Sequence, residues 1–133
     1  MRTMTGQNSN AAEIDLTCEF DLNAAAAVVT TRGDLVTAVR TGVGTYTVTY
    51  KGTDGVRMYE ILGNGPNIRA ASAVGNVQGV QIISIVQGGG TYNDDIVVTV
   101  VTKTNVPAIA DTTSAMTVCV WFAFRGQRMS NPL

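Results

Sequence analysis

The sequence predicts an all-β protein built as an antiparallel β-sandwich, with a jelly roll as the expected topology. Turn residues divide the chain into eight or nine short segments that are rich in valine, isoleucine and threonine. Several of these segments alternate apolar and polar residues with a period of two, as strands with one buried face do. A length of 133 residues and an apolar content of 45% suit one domain with its own core.

Residues 14–20 give the clearest strand pattern. Apolar residues there alternate strictly with polar or acidic ones, which indicates a strand with one face in a core. Residues 45–51 repeat the pattern, with tyrosine and valine opposite threonine, and these residue types favour strands. Two glycines form a tight turn between this segment and the strand predicted over residues 35–40.

The remaining strands follow from local composition and from the turns between them. Their predicted ranges are residues 25–31, 57–62, 77–87, 95–103 and 115–124. Residues 57–62 are expected to pair with residues 45–51 as a hairpin, because a Thr-Asp-Gly turn joins them. Residues 68–74 are compatible with helix or strand, and Gly79 predicts a bulge.

Polar residues at both ends predict arms that flank one domain. The predicted boundaries are an N-terminal arm at residues 1–12, a sandwich at residues 13–125 and a tail at residues 126–133. The first ten residues lack the apolar segment of a secretory signal, so we expect synthesis and use without export from the cytoplasm.

The charge content is low for a protein of this size. Charged residues make up 14% of the chain, against about 25% in typical soluble proteins, and the net charge is −1. A nucleic-acid-binding surface would need a basic patch that is not present in the sequence. No apolar run approaches the roughly 20 residues of a membrane-spanning helix. We therefore expect neither nucleic acid nor membrane as a partner.

The sequence contains no recognisable catalytic apparatus. It has no histidine, which is the usual general base and a common metal ligand, and it has no Gly-x-Ser-x-Gly motif. Cys18 and Cys119 stand far apart and outside any Cys-x-x-Cys pair, so two reduced thiols are favoured over one long-range disulfide. We expect a protein that is not an enzyme and that binds no cofactor.

An acidic stripe is the most organised polar feature of the sequence. It consists of Glu13, Asp15, Glu19 and Asp21, which share the polar face of the strand predicted first in the chain. Like charges on one strand face repel, so cations are expected nearby, either arginine side chains or Ca²⁺. The open alternatives are a solvated face that blocks edge-to-edge pairing, a docking site for a basic partner, and a site for a cation such as Ca²⁺.

Residues 115–124 are apolar on both faces, and residues 80–86 and 96–101 are similar. A two-layer sandwich buries only one face of each strand, so the second face needs cover from a segment of the same chain or from a neighbouring subunit. Large aromatic side chains dominate interface energetics. The candidate interface residues are Trp121, Phe122 and Phe124, together with Arg2 and Met4 of the N-terminal arm.

Residues 38–50 read Ala-Val-Arg-Thr-Gly-Val-Gly-Thr-Tyr-Thr-Val-Thr-Tyr and resemble a hairpin of small β-rich virion proteins from tailed bacteriophages. Within that group, the chain is most similar to jelly-roll capsid decoration (cement) proteins. The resemblance implies a homo-oligomer, expected to be a trimer, that binds the major capsid protein on the virion exterior. It implies that the protein stabilises contacts between capsid subunits. A phage tail or fibre component remains an alternative, as does a carbohydrate-binding module that uses the four tyrosines as an exposed platform.

Overall fold

A computed structural model describes residues 11–33, 35–52, 56–70, 76–88, 94–104, 106 and 108–128. These residues form nine strands in two antiparallel sheets that pack face to face as a sandwich. The predicted all-β sandwich is confirmed, whereas the strand order does not confirm a jelly roll. None of the described segments is a helix with the length and apolar content needed to span a bilayer.

Sheet A is built around a long central pair of strands. Its members are β1 (Ala11–Leu22), β2 (Val28–Arg32), β5 (Val56–Asn64), β6 (Asn67–Ala70) and β9 (Met116–Arg128). The order is β2-β1-β9, and β5 and β6 pair one after the other with the far edge of β9. β1 and β9 pair from Ala11 opposite Gln127 to Leu22 opposite Met116, which fixes the register of the sheet.

Sheet B contains four strands in the order β3-β4-β8-β7. They are β3 (Val36–Gly42), β4 (Thr45–Tyr50), β7 (Val77–Gln87) and β8 (Ile96–Thr104). The register between β7 and β8 shifts between Val77 and Gly79, so the predicted bulge at Gly79 is confirmed. A second shift lies between Ile82 and Ser84.

The predicted hairpin between β4 and β5 is wrong. β4 pairs with β3 on one edge and with β8 on the other, so neither edge is free for β5. β5 lies in the opposite sheet, where it pairs with β9. The turn between them therefore carries the chain from one sheet to the other, although its sequence also suits a hairpin.

The alanine-rich segment before β2 is a turn, and the strand predicted from residue 25 begins at Val28. The Asn23 side chain accepts hydrogen bonds from the backbone N–H groups of Ala25 and Ala27, at 2.9 and 3.0 Å. Ala26 adopts a positive φ of 64° within this turn. Asparagine holds such turns through its own side chain, which accounts for the late start of β2.

The strands extend beyond both predicted domain boundaries. β1 begins at Ala11 and β9 continues to Arg128, whereas the predicted sandwich covered residues 13–125. Of the segment that was compatible with helix or strand, residues 68–70 belong to β6. Arg2 and Met4, the arm residues expected at an interface, lie outside the described residues.

Aromatic rings fill the space between the sheets. Phe20 lies 5.5 Å from Tyr46, Tyr50 meets Phe122 edge-on at 5.5 Å, and Phe122 stacks on Phe124 at 5.8 Å. Phe122 and Phe124 are fully buried in this core. The expectation that they act as interface anchors is therefore corrected, because their side chains point into the sandwich.

Candidate functional site: the outer faces of the sandwich

Charge is distributed very unequally between the two sheets. The strands of sheet A carry ten charged residues, namely Glu13, Asp15, Glu19, Asp21, Arg32, Arg57, Glu60, Arg69, Arg125 and Arg128. The strands of sheet B carry two, Arg40 and Lys103, and Arg40 forms an ion pair with Asp111 at 2.7 Å. The two outer faces therefore offer very different surfaces to a partner.

The second half of the acidic stripe is neutralised within the chain. The Arg32 guanidinium on β2 donates two hydrogen bonds of 2.7 Å to Asp21 and one of 3.3 Å to Glu19. Arg69 on β6 forms an ion pair of 2.8 Å with Glu19 from the other side. The Thr117 hydroxyl donates a further 2.7 Å bond to Asp21. These contacts join β2, β1, β9 and β6 across the outer face of sheet A.

The arginines shift the pKa of both carboxyl groups. Hydrogen bonds from Arg32 and then from Thr117 hold the pKa of Asp21 far below its usual range. Partial desolvation alone would raise the pKa of Glu19, but the hydrogen bond from Arg32 and the charge of Arg69 lower it on balance. Both carboxylates therefore remain ionised in the folded protein well below neutral pH.

Glu13 and Asp15, the other half of the stripe, are exposed and form no ion pair within the described part of the chain. Arg125 stands opposite Glu13 in the ladder but forms its ion pair with Glu60, at 3.1 Å. The described residues contain no group of three or more histidine, cysteine or acidic side chains placed to hold a metal ion. The stripe is thus two separate features, one internally paired and one solvated.

We expect Asp21→Asn to lower the melting temperature at neutral pH. We also expect the melting temperature of the variant to fall less steeply than that of the wild type as the pH is lowered. A carboxylate with a lowered pKa in the folded state stabilises the protein above its ordinary pKa, and this contribution is lost as the pH falls. Thermal melts between about pH 5 and about pH 2 would measure the effect. The control is Asp15→Asn, whose carboxylate is unpaired in the described structure. Parallel curves for Asp21→Asn and the wild type would contradict the prediction.

Trp121 is the candidate interface residue that reaches the surface. Its side chain lies on the outer face of sheet A with 39% of its surface exposed. The indole packs over the strand edge formed by β5 and β6, where a Cβ atom added to Gly65 would lie 3.1 Å from the ring and one added to Gly63 would lie 3.9 Å from it. The chain therefore covers part of the second apolar face of β9 with its own glycine-containing edge.

Tyr46 and Tyr50 are core residues, so they contribute to no exposed aromatic platform. The Tyr46 hydroxyl donates a 2.9 Å hydrogen bond to the carbonyl oxygen of Ala26, which anchors the turn before β2. Tyr59 and Trp121 are the aromatic side chains that the described structure exposes. Tyr59 stacks with the guanidinium of Arg57, 5.1 Å from the ring centre. The carbohydrate-binding alternative thus loses two of the tyrosines on which it depends.

The two cysteines are free thiols on opposite faces of sheet A. Cys18 faces the core, where burial raises the pKa of its thiol to about 11. Cys119 lies on the outer face, and its thiol donates a 3.6 Å hydrogen bond to Glu19. Side chains that point to opposite sides of a sheet cannot form a disulfide without movement of the backbone. Both cysteines are therefore reduced thiols in this fold, as the sequence predicted.

The outer face of sheet B forms two uncharged rows that cross all four strands. The first row consists of Val39, Thr47, Thr99 and Ser84, and the second consists of Thr37, Thr49, Val97 and Val86. Val48 and Val98, the inward neighbours on the two central strands, are fully buried. Val39 and Val86 lie in these rows on the edge strands β3 and β7, and they are 56% and 54% exposed. We refer to these eight residues as the uncharged face.

One end of sheet B carries further exposed apolar side chains. They are Val43 in the turn between β3 and β4, and Val106 and Ile109 in the segment after β8. The Ala110 N–H group donates a 3.0 Å hydrogen bond to the Thr102 carbonyl oxygen, and the Thr102 hydroxyl donates one of 2.6 Å to the Ala110 carbonyl oxygen. Asp111 accepts a 2.7 Å hydrogen bond from the Gly44 N–H group, so these contacts fix the segment at this end of sheet B.

Sequence reasoning missed the uncharged face, and it expected cations near the stripe without identifying which arginines supply them. The face needs the register of four strands, although the lack of charge in residues 41–50 and 77–93 was a visible signal. Arg32 and Arg69 lie 13 and 50 positions from Glu19, and no local pattern joins them to it. No family model matches the chain, and searches of curated proteins and of solved structures found no match. Function is therefore inferred from the surfaces of the sandwich.

Proposed function

We propose that this protein is a structural virion protein, which binds the outside of a bacteriophage capsid as a decoration (cement) protein. In this role it contacts the major capsid protein, assembles with copies of itself, expected as a trimer, and stabilises contacts between capsid subunits. It is made in the host cytoplasm and functions on the virion exterior. The observation that carries the proposal is the uncharged face of sheet B.

An uncharged sheet face suits burial against another protein. The cores of protein interfaces are depleted in charged residues, because each buried charge must be desolvated. Threonine and valine make a flat, stiff surface that loses little side-chain entropy when it is covered. The segment that resembles the phage hairpin, residues 38–50, supplies β4 and most of β3, which are two of the four strands of this face.

The charged outer face of sheet A supports the same role. Three of its arginines form ion pairs with carboxylates of the same chain: Arg32 with Asp21, Arg69 with Glu19 and Arg125 with Glu60. Such a face stays solvated when the opposite face is covered. A sandwich with one solvated face and one uncharged face suits a protein that is covered by other subunits on one side and faces solvent on the other.

We expect deletion of residues 1–10 to leave the fold intact and to weaken binding to capsids. The first strand begins at Ala11, so this deletion removes none of the nine described strands. The arm is polar in sequence, and contacts that it adds to each copy are multiplied when many copies bind one shell. Thermal melts and co-sedimentation with capsids assembled without the protein would measure the two effects.

A variant with the same ten arm residues in scrambled order is the control, and we expect it to bind as weakly as the deletion. Wild-type protein that fails to co-sediment with capsids would contradict the proposed function. Cross-linking within intact virions would separate the main alternative, because a tail or fibre component would link to tail proteins. Deletion without loss of capsid binding would contradict the role of the arm alone.

A further inference from the structure

We infer that the uncharged face of sheet B is the contact between copies of this chain, so that these faces pack together around a symmetry axis. The inference rests on the proposed function only in treating the face as protein-binding. It commits the face to self-association, whereas capsid binding is expected to depend on the N-terminal arm. The eight residues of the face, from Thr37 on β3 to Val86 on β7, form the centre of this contact.

Because the face carries no charged side chain, it favours a partner surface that is also uncharged. A partner with charged groups would have to desolvate them against threonine and valine, which offer no compensating charge. A second copy presents the same face, so no charged side chain of these two rows is desolvated on either side. The outer face of sheet A, with ten charged residues on its strands, is a much poorer match.

The net charge of the chain also permits self-association. At −1 over 133 residues, copies do not repel one another strongly at long range. A large net charge of one sign would oppose close packing of identical molecules, and the net charge of this chain is small.

The uncharged face also exposes apolar side chains. Val39 on β3 is 56% exposed and Val86 on β7 is 54% exposed, and each stands in one of the two rows. Their burial against a second copy would remove apolar surface from water without desolvating a charge.

The size of the face sets the expected strength of association. The eight residues lie on four strands about 4.8 Å apart and span about four residues of each strand at roughly 3.3 Å per residue, which is about 250 Å². A standard stable interface buries about 800 Å² per partner. The face alone therefore supports reversible, concentration-dependent association, which strengthens when many copies are held together on a shell.

Sedimentation velocity of the full chain over a concentration series tests the inference. We expect the wild type to form dimers or trimers as its concentration rises, and Val39→Lys combined with Val86→Lys to stay monomeric at the same concentrations. Both valines are more than half exposed, so the variant should fold. The matched control combines Val29→Lys with Leu62→Lys, two exposed apolar residues on strands of sheet A, and should associate like the wild type.

A wild type that remains monomeric throughout, or a double variant that associates like the wild type, would overturn the inference. Should the double variant melt early, Thr47→Lys at the centre of the face provides the same test. Capsid co-sedimentation of the same variants separates the two proposals. Association without capsid binding leaves the inference standing and removes the proposed function. A wild type that stays monomeric, and whose capsid binding is weakened by the sheet B substitutions, removes the inference and leaves the proposed function standing.

Discussion

Replacement of Phe122 by alanine is expected to lower the free energy of unfolding by about 3–5 kcal/mol. The ring is fully buried and contacts Tyr50 and Phe124, with ring centres 5.5 and 5.8 Å away. Its removal takes away apolar contacts and leaves a cavity between two sheets that cannot readily collapse. Equilibrium unfolding in urea, followed by circular dichroism, would measure the loss.

Trp121→Ala is the matched comparison, because the two residues are neighbours on β9 and point to opposite faces. The indole is 39% exposed and packs on Gly63 and Gly65, so we expect a smaller loss of stability than for Phe122→Ala. We also expect no change in association, since Trp121 lies on sheet A. Equal losses in the two variants would contradict the division between core and surface.

The strands with strict alternation could be predicted from the sequence because the pattern is local. In β1, Phe20 and its apolar neighbours face the core, and in β4 Tyr46, Val48 and Tyr50 do the same. In β9 both faces are apolar in sequence, so the pattern did not show whether Phe122 or Trp121 faces the core. Period-two alternation assigns a side chain to a face without any knowledge of the partner strand.

The pairing of strands could not be predicted in the same way. A Thr-Asp-Gly turn suits a hairpin, but the edges of β4 are taken by β3 and β8, and β5 crosses to the other sheet. This outcome depends on competition between distant segments for one strand edge. Local turn chemistry contains no information about that competition.

The candidate site shows the same limit. The acidic stripe was visible in sequence, but its division into a paired half and a solvated half depends on Arg32 and Arg69, which three-dimensional packing brings to Glu19. The uncharged face likewise arises only when β3, β4, β8 and β7 align. The low charge of the whole chain predicted a covered surface without indicating which one.

Gly44→Ala is expected to be as disruptive as a core truncation, for a different reason. Gly44 has a φ of 56°, in the left-handed region that residues with a side chain rarely adopt. A Cβ atom there would lie 2.5 Å from the carbonyl oxygen of Ala110 and 2.8 Å from its carbonyl carbon and nitrogen. Backbone strain and a clash with backbone atoms together are expected to cost about 2–5 kcal/mol.

The clash would also displace the segment that closes this end of sheet B. Gly44 donates a hydrogen bond to Asp111 and accepts one from the Thr102 N–H group, at 2.7 and 2.8 Å, so its movement breaks both contacts. The control is Gly79→Ala, because a Cβ atom at Gly79 meets no heavy atom within 4 Å. We expect that control to change stability by less than about 1 kcal/mol in urea unfolding. Similar midpoints for the two variants would mean that the segment around Ala110 yields without cost, and that the end of the uncharged face is not held by Gly44.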